Sequence, residues 1–314
     1  MKIHSAILLG LLLWSCNSLG IFRGVEPAPN RVTSIDLKGS SQPWQAFWIG
    51  HASVLLRIYD KFILTDPVFE ERVGIAVKRL VAPSVYARDL PELSWALVSH
   101  LHFDHFDTRS LKKLNHNAAL AVAPGVVPYM MKMPFEKVYP MQPWQVKVHD
   151  GVKVTAVPAA HFGGRYGFDG TWDTSSYVGY VIEYKDVTIY FAGDTGENDV
   201  IYKEIGQQFI IDLALIPMGP YRNNFITRRF SDVHLNPYAA VKAFAETGAR
   251  YMMPIHHSTF YLRGGEELKS MKEAISNFEE RDNIFLLDIG QSISYANGRV
   301  SVAGINQLKT LVTD

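Results

Sequence analysis

His100-Leu101-His102-Phe103-Asp104-His105 puts three histidines and an aspartate into six residues. The stretch directly follows Trp95-Ala-Leu-Val-Ser99, whose length and apolar character read as a short buried strand. Good metal ligands on one tight loop at a strand's C-terminal end stand where α/β proteins place their sites. A polar turn with fortuitous histidines is the bland alternative, and it offers no packing reason for such a density of imidazole and carboxylate.

The pattern recurs further along the chain. His161 follows the run ending Thr155-Ala-Val-Pro158, Asp194 follows Thr188-Ile-Tyr-Phe-Ala-Gly193, and His256 follows Tyr251-Met-Met-Pro-Ile255. Each is the first metal-capable residue after an apolar strand. Taken singly, His161 or His256 reads as a satisfied structural histidine. Taken with the cluster they complete seven candidate ligands: His100, His102, Asp104, His105, His161, Asp194 and His256. Cys16 is the only cysteine, so intramolecular disulfides are excluded and any metal is held by His, Asp or Glu. Such a donor set suits Zn²⁺ best, with Mn²⁺ and Fe²⁺ open on ligand type alone.

Other strand signals lie at Gln45–Ile49, Ser53–Ile58 and Phe62–Thr65, a β-meander, and at residues 120–123, 152–157, 177–183 and 187–192. Strand and helix then alternate: strands at residues 213–216, 251–255 and 284–287, helices at residues 237–246 and 266–279. This predicts an α/β fold of two sheets between outer helices, one domain over residues 45–314. Residues 21–44, with Pro27, Pro29, Gly39 and Pro43, read as a tether. Residues 1–20 read as a signal peptide: Lys2, then an apolar run from Ala6 to Trp14 too short to span a bilayer comfortably. Leu13-Trp14-Ser15-Cys16 resembles a bacterial lipobox with Cys16 as the lipidated residue, although Trp14 stands where a small residue is usual. Cleavage after Gly20 without lipidation is the rival. The expected location is the cell envelope, membrane-anchored in the first case, periplasmic or secreted in the second. Lys plus Arg and Asp plus Glu number 31 each, so no global positive field gathers a polyanion and nucleic acid is disfavoured as a partner.

The whole pattern, H-x-H-x-D-H followed by separate His, Asp and His at strand ends, resembles the metallo-β-lactamase superfamily, which implies an αββα sandwich of two mixed sheets and a two-zinc site. Trp48-Ile-Gly-His-Ala-Ser53, Leu64-Thr-Asp-Pro-Val-Phe69, Val98-Ser-His-Leu-His-Phe-Asp-His105, Phe191-Ala-Gly-Asp-Thr-Gly196, Asp212-Leu-Ala-Leu-Ile-Pro-Met-Gly219 and Val233-His-Leu-Asn-Pro237 are similar, in order, to the N-acylphosphatidylethanolamine-hydrolysing phospholipase D branch. Carried over, the resemblance implies that His100, His102 and His161 hold one zinc, that Asp104, His105 and His256 hold the other, and that Asp194 bridges them. Asp104, Asp194 and His234 would form the catalytic set around a metal-bridging hydroxide that attacks a phospholipid phosphodiester. Iron redox chemistry is disfavoured, because oxygen-reducing relatives typically place Glu where this chain has His102.

Around these, Asp66 is expected to orient a ligating histidine, and His51 to fix its loop or touch the metals. Arg222, with Arg228 and Arg229, would receive a phosphate or simply form a solvated basic loop. His257-Ser258 replaces the branch's usual Trp-Gly, which bears on the headgroup. Val73, Val77, Leu80 and Val81, flanked by Arg72, Lys78 and Arg79, would share one face of a membrane-facing helix over residues 72–81, or simply pack in the core. The glycine- and aromatic-rich loop from Phe162 to Ser176 suits a substrate lid, or is only a surface excursion. Two other functions stay open: a zinc lactonase or sugar-phosphate hydrolase like the ascorbate-6-phosphate lactonase branch, and a non-catalytic metal-binding envelope protein.

Overall fold

The computed structural model describes residues 24–30, 42–74, 77–130, 133–165, 171, 176–219, 233–260 and 266–304. The expected signal peptide with Cys16, the arginines Arg222, Arg228 and Arg229, and most of the loop from Phe162 to Ser176 fall outside these.

The chain opens with β1 (Trp44–Gly50), β2 (Ser53–Ile58) and β3 (Lys61–Thr65), an antiparallel meander. A small ribbon of β4 (Arg72–Val73) and β5 (Val77–Lys78) follows. β6 (Trp95–Val98), β7 (Ala119–Val122) and β8 (Val138–Pro140) then extend the meander in parallel, with the one-turn helices α1 (Thr108–Leu111) and α2 (Val127–Met130) between them. The second sheet runs antiparallel through β9 (Val146–His149), β10 (Val152–Val157), β11 (Gly179–Tyr184) and β12 (Val187–Phe191). It continues in parallel through β13 (Leu213–Pro217) and β14 (Tyr251–Ile255) by way of α3 (Asp199–Gln208) and α4 (Pro237–Thr247). After α5 (Glu266–Ser276) the chain returns to the first sheet as the hairpin β15 (Gln291–Ala296) and β16 (Arg299–Gly304). The result is an eight-stranded and a six-stranded mixed sheet.

Period-2 alternation explains the layering. Along β12, Ile189 and Phe191 point into the core that joins the sheets, while Tyr190 points to the core under the helices. β13 does the same, with Leu213 and Leu215 inward and Ala214 and Ile216 outward. Both faces of these strands are therefore apolar, as parallel strands covered on two sides require. α4 is fixed by Asn236, whose side chain accepts from the N–H groups of Tyr238 and Ala239, and by Gly248 in a left-handed C-terminal cap.

Two expectations are corrected. Residues 284–287 form no strand: Ile284 makes a single bridge to Met252, and the strand pair comes later. Its turn, Asn297-Gly298, has both residues at positive φ, the pairing a tight hairpin favours. Residues 72–81 are no amphipathic helix, because β4 and β5 occupy the segment and turn Arg79 inward, 1% exposed, where it donates to the carbonyls of Val68 and Glu70. Within the stretch expected as a tether, Glu26 pairs with Val81, accepting from Ala82 N–H and donating to Leu80 O, and Ala28 is buried.

Candidate metal centre

The strand directions bring all the candidate ligands to one edge. β1, β3 and β6 of the first sheet end beside β10, β12 and β14 of the second, and the residues after these six strands supply His51, Asp66, His100–His105, His161, Asp194 and His256. Three take left-handed backbone: His51 at φ 57°, Asp66 at 30° and His256 at 66°. Non-glycine residues hold that conformation at a cost, and only where their surroundings over-determine it. For His51 they do: its N–H donates to Thr259 Oγ1 at 2.6 Å, and its carbonyl accepts from Trp48 Nε1 and His256 N–H.

Among the described residues two four-residue clusters result, beside a smaller group of Asp66, His100 and His105, each offering one ligand atom per residue within a 4.8 Å span. The first joins His100, His102, His161 and Asp194, and the second joins His51, Asp104, His105 and His256. Asp194 stands between them, its Oδ2 lying 3.2 Å from His105 Nε2, 3.1 Å from His256 Nε2 and 3.9 Å from His100 Nε2.

Whether cations fit is decided by where the ring protons go. His161 Nδ1–H donates to Val233 O at 2.8 Å and His256 Nδ1–H to Gly219 O at 3.0 Å. His105 Nδ1–H donates to Asp66 Oδ2 at 2.6 Å. His100 Nδ1 lies 2.9 Å from Ser99 Oγ, whose hydroxyl donates to the same Asp66 oxygen at 2.6 Å. A carbonyl, carboxylate or hydroxyl partner outside thus fixes each tautomer and leaves each Nε2 lone pair facing in. His105 Nε2, His256 Nε2 and Asp194 Oδ1 are buried without a hydrogen-bond partner. His100 Nε2 and His161 Nε2 both converge on His102 Nδ1, at 2.8 and 3.3 Å. That nitrogen cannot donate its one proton fully to both, and converging acceptors repel unless a cation lies among them. The donors therefore fit metal ions held by nitrogen and oxygen.

The electrostatics agree. Burial pushes His51 and His161 down to about 3 and His234 down to about 4, keeping their rings neutral. Burial works to raise Asp104 and Asp194, but His105 and their other histidine neighbours hold both well below the usual carboxylate range. His105 goes the other way: burial is outweighed by Asp194, Asp104 and Asp66, which raise it well above the usual imidazole range. A proton or a cation at its Nε2 answers the same negative charge.

The remaining candidates separate. Asp66, fully buried, lies behind the clusters and serves a histidine of each. His51 holds Asp104, its Nε2 being 3.0 Å from Oδ2. His234 sits at the rim, 20% exposed, with Nδ1 3.7 Å from Asp194 Oδ2 and its ring 5.1 Å from His161. His257 turns away from both clusters into the core, its ring 4.4 Å from that of Trp48. Sequence reasoning missed Ser99, which relays His100 to Asp66. Its place beside Asp66 depends on β3 and β6 lying adjacent, so only their pairing could have revealed it.

The comparisons with known proteins accord with this geometry. Residues 61–257 match the family model described as the beta-lactamase superfamily domain. An uncharacterized protein of Mycobacterium tuberculosis is 29% identical over 253 residues, 76% of this chain, and the match spans only 65% of that relative's length. N-acyl-phosphatidylethanolamine-hydrolyzing phospholipase D 1 of Caenorhabditis elegans is 29% identical over 272 residues, covering 78% of this chain and 74% of the relative. Igni18, described as a novel metallo hydrolase from Ignicoccus hospitalis, shares the fold with a TM-score of 0.58 at 16% identity, over 81% of this chain and 98% of its own. The chain belongs to the metallo-β-lactamase superfamily. Its histidine and aspartate clusters stand on the residues that follow the strand ends.

Proposed function

We propose that the protein is a zinc-dependent phosphodiesterase of the phospholipase D type, acting on N-acylphosphatidylethanolamine or a related phospholipid. The observation that carries the reading is the similarity to the nematode enzyme over 78% of this chain, taken together with the two clusters. His100, His102, His161 and Asp194 would hold one ion, and Asp104, His105 and His256 the other, with Asp194 reaching both. When bound, a pair of such ions supplies a nucleophilic oxygen near neutral pH and stabilises charge developing on the transferred group. The chain contributes the rest. Asp66, Val233 O and Gly219 O hold the ligating rings in one tautomer, and His51 fixes the Asp104 carboxylate. His234, at the rim with a neutral ring and Nδ1 unpartnered, would meet a substrate oxygen. An envelope address through Cys16 belongs to the same proposal, since it would keep the enzyme at its lipid.

The test is hydrolysis of N-acylphosphatidylethanolamine in mixed micelles with zinc present, run in oxygen-18 water. The expected products are phosphatidate carrying the label on phosphorus and an unlabelled N-acylethanolamine. Label in the alcohol rejects attack at phosphorus, and turnover of lactones with none of phospholipids rejects the substrate class.

A further inference from the structure

Arg165 is used by no step above, yet its placement ties the two halves of the site together. His161 is followed by Phe162-Gly163-Gly164-Arg165. A Cβ on Gly163 would run into the Thr171 carbonyl and Ser176, and Gly164 has φ 110°. The pair of glycines thus permits a tight path that side chains forbid, and that path returns Arg165 to the turn bearing His102, Asp104 and His105.

There its Nη1 donates to Leu101 O at 3.0 Å and to Phe106 O at 2.7 Å. These carbonyls bracket the ligand-bearing residues, one immediately before His102 and one immediately after His105. Both residues are fully buried, so their carbonyls depend on an internal donor. The turn's own backbone bonds converge instead on the His102 carbonyl, from His105 N–H at 3.1 Å and Phe106 N–H at 2.9 Å. The guanidinium also lies 4.3 Å from the ring centroid of Phe103, inside the turn, and 5.0 Å from that of Phe106. A lysine ammonium could donate to the carbonyls but lacks the planar guanidinium that lies over the two rings.

We propose that Arg165 is a positioning residue of the metal centre, stapling both ends of the first sheet's ligand turn to the second-sheet segment that carries His161. This rests on the clusters holding metal, and it goes beyond that reading by naming what holds the turn's ligands beside His161.

The experiment follows zinc release from the purified, zinc-loaded full-length protein into a chromophoric chelator. Arg165→Met is expected to release zinc about 10–100-fold faster, the range in which residues supporting metal ligands act. Arg165→Lys, which keeps the charge and loses the stacking, should fall between it and the wild type and carries the test if the methionine variant does not fold. Arg250→Met removes an arginine that stacks on Tyr251 and Tyr295 at residues outside both clusters, and should release zinc like the wild type. A purely structural role for Arg165 would lower the unfolding temperature of the metal-stripped protein without changing release. The cobalt-substituted Arg165→Lys protein should also show a shifted visible spectrum. Wild-type release and spectrum in the Arg165 variants overturn the proposal alone. A wild-type protein that takes up no zinc overturns the metal-centre reading and the proposal with it.

Discussion

Replacing Asp66 by asparagine tests the metal centre through a residue that need touch no metal. The carboxylate accepts three short bonds: Ser99 N–H at 2.7 Å on Oδ1, and the Ser99 hydroxyl and His105 Nδ1–H, both at 2.6 Å, on Oδ2. Asparagine fills the same volume and keeps the first, but sets an amide NH₂ against two donors. The Ser99 hydroxyl can rotate. His105 can regain a bond only by moving its proton from Nδ1 to Nε2, the atom aimed at Asp104 and Asp194. Losing a buried bond to a charged group costs about 1.5–3 kcal/mol, which is roughly 10–150-fold in affinity. Asp66→Asn should therefore weaken metal at the cluster containing Asp104, His105 and His256 by about that factor. His100 reaches Asp66 only through the rotatable serine, so the other cluster should suffer less. Zinc counted after dialysis against a graded series of chelator should fall from two equivalents towards one before the wild type does. Two equivalents retained at wild-type affinity would refute the tautomer argument.

Asp194→Asn should lose more activity than Asp66→Ala, because Asp194 reaches both clusters while Asp66 acts through His105 and Ser99; equal losses in steady-state rates would contradict the bridging position. At His51 the left-handed backbone, φ 57°, costs alanine about 1–2 kcal/mol and asparagine less. Thermal unfolding should place His51→Asn above His51→Ala, while both loosen Asp104 and lower zinc affinity; the reverse order would remove the strain argument. Cys16→Ser should free the protein from membrane fractions or leave the precursor uncleaved, and a processed, membrane-bound Cys16→Ser protein would exclude lipidation there.

The ligands were legible because each is polar chemistry after an apolar run, visible without knowing what pairs with what. The central strands were legible for a related reason: buried on both faces, they are near-continuous apolar runs. β9 was missed because Val146, Lys147 and Val148 are exposed on an edge strand and carry no burial pattern. The hairpin β15–β16 carried its Asn297-Gly298 signal in plain view, yet Ile284–Leu287 looked more strand-like by composition. Composition also misled at residues 72–81, where basic and apolar residues suggested a helix on a surface. Arg79 instead stacks on Phe260, 5.0 Å from its centroid, a contact between segments remote in sequence. The support around the ligands shares that limit. Ser99 and Arg165 bond to residues distant along the chain, and His257, directly after the candidate ligand His256, packs its ring against Trp48 instead, with 4.4 Å between centroids.

The ligand edge is a seam between two sheets. His100–His105 hang from one, His161, Asp194 and His256 from the other, and the sheets also meet through a packed apolar core and a few hydrogen bonds, such as Val178 N–H to Ser99 O and the Tyr180 hydroxyl to Val98 O. Ions bridging that edge would act as rivets, adding their binding free energy to the cohesion of the sandwich. Metal scarcity would then be felt first as mechanical loosening: the strand tips would part and exchange their amide protons, while the interior around Trp48 and Trp95 stayed closed.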